Sequence, residues 1–192
     1  MSSNKKNQGY LLVELIITVS LFIVVMTISM GALLTVTNAN RKAQTLKTAM
    51  TNLNFALESI SRTIRTGFNY HCGPDGNINT PENCNGTDTP AGQSLALTAT
   101  DGTKVIYKFA KDAADGHGYI QKSDDGGKNY TDMTGSDINI EKLEFRVLGA
   151  DSTDSLQPRI VITLKGFAGT KENSDSEFHL QTTLSQRLLD RS

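Results

Sequence analysis

The hydrophobic rhythm of the chain changes twice. From Tyr10 to Val36 it reads YLLVELIITVSLFIVVMTISMGALLTV, and from Leu15 to Val36 no residue is charged. A run of that length crosses a bilayer as a helix. It continues into a helical pattern with no small-residue cleavage site, which argues against a removed secretory signal. Beyond it, Leu46, Met50, Leu53, Leu57, Ile60 and Ile64 recur at alternating intervals of four and three, the period of one apolar helix face. Lys47, Thr48, Asn52, Asn54, Glu58, Ser59, Arg62 and Arg65 fall between them, and Gly67 offers a C-terminal stop. The pattern predicts one helix from about Tyr10 to Thr66, on the order of 85 Å at 1.5 Å per residue. A coiled-coil seam would carry the same stripe, but the strand signals that follow favour a helix packed on a sheet.

After a loop expected from Gly67 to Gly92, the period shortens to two. SLALTA and KVIYKFA flank a turn at Asp101 and Gly102, the pattern of a hairpin. GYIQKS then leads into the turn-rich DDGGKN, and INIEKLEFRVL, RIVITLKGFA and SEFHLQTTLSQRLL each read as strands. Leu143, Phe145, Val147, Ile160, Ile162 and Leu164 take alternate positions. The expected fold is α+β: a long N-terminal helix, its first half transmembrane and its second half laid on a mainly antiparallel sheet.

Composition adds little to this. The 192 residues carry 19 Lys and Arg against 20 Asp and Glu, so neither a basic surface for nucleic acid nor an acidic excess is present. Lys5 and Lys6 precede the apolar run while Arg41, Lys42 and Lys47 follow it, so charge counting leaves the orientation open. The cysteines and the Asn-rich loops favour an extracytoplasmic C-terminal part.

Candidate chemistry is sparse. Cys72 and Cys84 bracket CGPDGNINTPENC, which a disulfide would close into a ring. Zinc is the alternative because His71 adjoins Cys72, but His117 and His179 belong to other elements and no paired-cysteine motif is present. Asp75, Asn77, Asn79 and Glu82 faintly resemble the spacing of a calcium loop, and Asp112, Asp115, Asp124 and Asp125 cluster in later turns; the same residue types build ordinary solvated turns. Gly126 and Gly127 lack the context of a phosphate cradle. No nucleophile elbow or HExxH occurs, so neither an enzyme nor a cofactor or metal is expected.

Glu14 is the anomaly of the apolar segment, since a carboxylate in hydrocarbon costs several kcal/mol unless it is paired. At the headgroup level it would instead suit the helix dipole. Together, the lysine-bearing MSSNKKNQG and the following YLLVELIITVSLF resemble the class III signal of type IV prepilins and type II secretion pseudopilins. Gly9 matches the residue before the cut, Tyr10 the first mature residue and Glu14 the acidic fifth residue. The resemblance implies cleavage and amino-terminal methylation by a prepilin peptidase, then assembly with other pilin or pseudopilin subunits through Glu14 at an inner-membrane platform. It divides the chain into a leader (1–9), a membrane and filament-core helix (10–36), its amphipathic continuation (37–66) and an extracytoplasmic head (67–192). Tyr stands where Phe is commoner, and the helix-bending Pro frequent in major pilins is missing, with Gly31 the only weak point in the region. The order YIQKSDDGGK, INIEKLEFRVLG, PRIVITLKGF and LQTTLSQRLL is similar to the heads of minor pilins and of the J-type minor pseudopilin, which implies a tip or priming role.

Overall fold

Apolar positions spaced for a helix form one. In the computed structural model, which describes residues 8–73, 80–84, 92–151, 156–168 and 176–187, helix α1 spans Gln8–Thr66. Two compact units divide between Gln44 and Thr45. In the first, the side chains from Leu11 onward are exposed and overwhelmingly apolar, and the segment is long and apolar enough to cross a membrane. Its few hydroxyls are satisfied locally: Thr18 donates to the Leu15 carbonyl at 2.9 Å, Ser20 to Ile16 at 2.7 Å, Thr27 to Ile23 at 2.8 Å and Ser29 to Val25 at 2.8 Å. Each of these donors would therefore meet hydrocarbon already hydrogen-bonded.

In the second unit the outer part of α1 buries Leu53, Ile60 and Ile64 completely, with Ala49 and Ala56 on the same face, while Leu46, Met50 and Leu57 are partly buried. The alanines extend the predicted stripe. Gly67 ends the helix, but at a negative φ rather than in the left-handed conformation of the usual glycine stop. Its role is close approach: a Cβ there would stand 2.5 Å from the Leu97 side chain and 3.1 Å from the Thr98 carbonyl.

Eight strands follow: β1 Phe68–Cys72, β2 Ser94–Thr98, β3 Lys104–Lys111, β4 Gly118–Ser123, β5 Thr131–Asp132, β6 Ile138–Leu148, β7 Arg159–Ala168 and β8 Ser176–Ser185. All neighbouring strands pair antiparallel, giving the α+β pilin-like layout expected from the sequence. Two expectations are corrected. The stretch from Gly67 to Gly92 is not all loop, because β1 lies within it; FNYHC hides its period behind a bulge and Asn69 at φ 55°. The strands also form two sheets, β1-β2-β3-β4-β5 and β6-β7-β8, rather than one. The expected β2–β3 hairpin is present, with Gly102 at φ 85° and the Thr103 amide donating 2.9 Å to the Asp101 carboxylate.

The seam between the sheets is tight at the start of β4. The Gly118 amide donates 2.9 Å to the Asn139 side-chain carbonyl, and His117 Nε2 lies 2.9 Å from the Ile138 carbonyl. A Cβ on Gly118 would fall 1.8 Å from the Ile140 carbonyl oxygen, so only glycine fits. Backbone cannot retreat as a flexible side chain can, and Gly118→Ala is expected to lower head stability by about 1–3 kcal/mol, the range of core overpacking. Gly31→Ala has open space around it and serves as the neutral control. Thermal unfolding of the micelle-held chain followed by tyrosine fluorescence checks this, and equal midpoints for both variants would contradict the tight seam.

Candidate functional site

Gly9 and Tyr10 lie in the first turns of α1, which begins at Gln8, so the expected cut falls within helical backbone. Glu14 follows one turn later with an exposed side chain and is the only charged residue between Leu11 and Asn40. The structure thus presents a carboxylate on an otherwise apolar surface, close along the chain to the position where a new amine would arise.

The second sequence-derived pair is joined. Cys72 and Cys84 form a disulfide with Cα atoms 5.7 Å apart. Cys72 belongs to β1, whereas Cys84 exchanges backbone hydrogen bonds with Val147 of β6 at 3.0 and 3.1 Å. Gly92 does the same with Phe145 at 3.0 and 2.8 Å. The disulfide therefore ties the two sheets together and lies against the Phe145 carbonyl. Asn83, which sequence reasoning did not single out, accepts the Ala150 amide at 2.8 Å beside it.

With Cys72 oxidised, no thiolate stands next to His71 to hold zinc. His71 is buried, with Nδ1 2.7 Å from the Thr80 carbonyl and Nε2 3.7 Å from the Glu82 carboxylate. His117 stacks on Tyr119, and His179 pairs with Glu177 at 3.0 Å. Of the faint calcium pattern, Asp75, Asn77 and Asn79 lie outside the described residues. Asp112 and Asp115 each accept a backbone amide two residues on, from Ala114 at 2.8 Å and His117 at 2.7 Å. Asp124 pairs with Lys122 at 2.8 Å. Asp125 accepts the Asn129 and Lys128 amides and the Ser123 hydroxyl, and these bonds, the Asn129 amide foremost, hold its carboxyl far below the usual range. Among the described residues no group of three or more His, Cys, Asp or Glu is arranged to hold a metal ion.

Two side chains and one backbone amide missed at the sequence level organise the end of α1. The Tyr70 hydroxyl lies 2.6 Å from both the Ile64 and Gly67 carbonyls, the buried Gln186 donates Nε2 to Gly67 at 3.2 Å, and the Arg187 amide donates to Arg65 at 2.8 Å. These contacts satisfy carbonyls that a helix terminus leaves open. Nearby Tyr107 is fully buried beside Thr63 without a well-formed hydrogen bond, and burial pushes its hydroxyl up to about 12. Compared with family models, with curated proteins and with solved structures, the chain matches none.

Two measurements follow from this geometry. Replacing both cysteines by alanine is expected to cost about 3 kcal/mol on the chain-entropy account of a ring of this size; an unchanged denaturation midpoint would show that the sheets hold without it. A Tyr107 hydroxyl raised above its unfolded value near 10 contributes stability that is present below about pH 10 and lost as pH rises towards 12. The tyrosinate absorbance that Tyr107→Phe removes should therefore appear late, coincident with alkaline unfolding. Its appearance in the folded state near pH 10 would contradict the burial argument.

Proposed function

We propose that the chain is a minor subunit of a type IV pilin-like filament, of the pilus or type II secretion kind. It is made as a precursor, anchored by α1 in the cytoplasmic membrane with the head outside, and acts in assembly or priming rather than catalysis. Its partners are a prepilin peptidase, an inner-membrane assembly platform, membrane lipid and other subunits. The observation that carries this reading is the arrangement Gly9, Tyr10, Glu14 at the start of an apolar helix otherwise free of charge as far as Asn40. Cleavage after Gly9 creates a positive amine at the bilayer edge, and Glu14 supplies a negative charge within the run. Each lacks a counter-ion until two subunits meet, so pairing of Glu14 with the Tyr10 amine of a neighbour lowers the cost of both and sets axial register.

The α+β head supports the reading, since its helix carries one face for the sheets and continues into a segment fit for hydrocarbon. The test is Glu14→Gln, which keeps size and hydrogen bonding but removes the charge. Membrane insertion and leader removal should stay near wild type while filament incorporation falls roughly tenfold or more, as for a pairing worth at least about 1.4 kcal/mol. Equal incorporation of the Gln variant would return Glu14 to a headgroup-level residue suited to the helix dipole.

A further inference from the structure

A sheet leaves unpaired backbone donors and acceptors at each edge, and folded proteins shorten, bend, charge or cover those edges. Three of the four edges here are managed. β1 has five residues, a bulge, and Glu82 hydrogen-bonded along its outer side; β5 has two residues; β6 is bulged and covered by His117, Gly92 and Cys84. β8 differs, with ten residues in unbroken register on β7 and neither Pro nor Lys. Among the described residues no strand or bridge lies on its outer side.

Alternation fixes which groups are open. Phe145 and Val147 bond outward to Gly92 and Cys84, so Glu144, Arg146 and Leu148 face β7. Carried across β7, the pattern turns Phe178, Leu180, Thr182 and Leu184 towards β7 and leaves the N–H and C=O groups of Glu177, His179, Gln181, Thr183 and Ser185 on the free edge. Two bonds past the strand continue the alternation: the Gln186 amide turns inward to the Pro158 carbonyl, and the Arg187 amide turns outward to the Arg65 carbonyl. The end of α1 thus closes the edge beyond Ser185. Beside the open rungs, a groove of about 470 Å³ runs between Thr182 and the helix residues Asn54, Phe55 and Glu58, and Phe55 is 71% exposed in it.

We propose that the free edge of β8 receives an extended strand from a different, neighbouring subunit, which pairs with the odd-numbered rungs from Glu177 to Ser185 and seats an apolar side chain against Phe55. The proposal rests on the filament reading for the source of the strand. Only an extended polypeptide supplies donors and acceptors at the rung spacing. Glu58, the one charge lining the groove, is paired with Arg62 at 3.8 Å, and Glu177, the one carboxylate on the strand, with Lys165 at 3.0 Å, so groove and edge carry no unbalanced charge and an uncharged strand segment suits the partner. A second copy fits poorly: antiparallel β8–β8 pairing about a two-fold axis would run the two 45–66 helices in opposite directions, whereas chains tethered by their N-terminal segments to one membrane share a direction.

The test places a photocrosslinking amino acid at Gln181 of the full chain in native membranes, with Thr183→Pro and Thr183→Ala as paired variants. Thr183→Pro removes an edge N–H but no β7–β8 rung, and Pro is tolerated on such an edge. Thr183→Ala keeps the N–H. A single crosslinked subunit is expected, retained with Ala and reduced roughly tenfold with Pro, as for a lost rung plus a steric clash. Gln181→Pro, probed from Thr183, repeats the test should the first Pro variant misfold. Equal crosslinking by the Pro and Ala variants, no crosslink, or a crosslink only to a second copy would overturn the proposal. Leader removal is scored in the same membranes: a crosslinked but uncut chain overturns the filament reading alone, and a cut but uncrosslinked chain overturns strand addition alone.

Discussion

Leu53, Ile60 and Ile64 are fully excluded from water although the opposite face of the same helix carries Asn54, Glu58 and Arg65. Their cover comes from both sheets, since one hydrophobic cluster joins them to Leu95, Leu97 and Tyr107 of the first sheet and to Phe145, Ile162 and Leu164 of the second. Burying each such side chain is worth about 1.5–3 kcal/mol. The head therefore depends on the outer half of α1 as a shared core element. The helix end is held by Tyr70 just beyond it and by Gln186 and Arg187 from the far end of the chain.

The sheets then need little direct pairing, only a close seam. Gly118 lets backbone approach backbone, and the Cys72–Cys84 segment carries β1 to the outer edge of β6. Cys84 and Gly92 cover an edge of β6 that would otherwise offer open rungs, so the disulfide lies where cohesion and edge protection coincide. Among the described residues β8 has no such cover.

The helix, its apolar stripe, the β2–β3 hairpin and the last three strands were legible because each is written in a local period. β6 shows the limit. Ile138 and Ile140 have even numbers and Leu143, Phe145 and Val147 odd ones, so a regular strand would send them to opposite faces. The bulge between Ile140 and Lys142 resets the phase and buries all five. The parity change was visible in INIEKLEFRVL and is the signal that could have revealed it. β1 and the division into two sheets were not legible, because Asn69 masks one and non-local pairing decides the other. At the candidate sites, the cysteine pair was readable from spacing, whereas Asn83, Tyr70 and Gln186 act through contacts that only the folded chain creates.

The N-terminal segment sets the account apart from that of any other α+β head. Its exposed apolar surface and internally bonded hydroxyls are compatible with hydrocarbon, and its length and composition would let it span a membrane. The central claim is that this segment matures by a cut that creates the amine Glu14 meets. Intact-mass analysis of the protein from cells carrying a prepilin peptidase measures this directly. The account predicts loss of the first nine residues and a chain beginning at Tyr10 with a methylated amine; a chain that retains Met1, or one cut between residues 36 and 40, would contradict it.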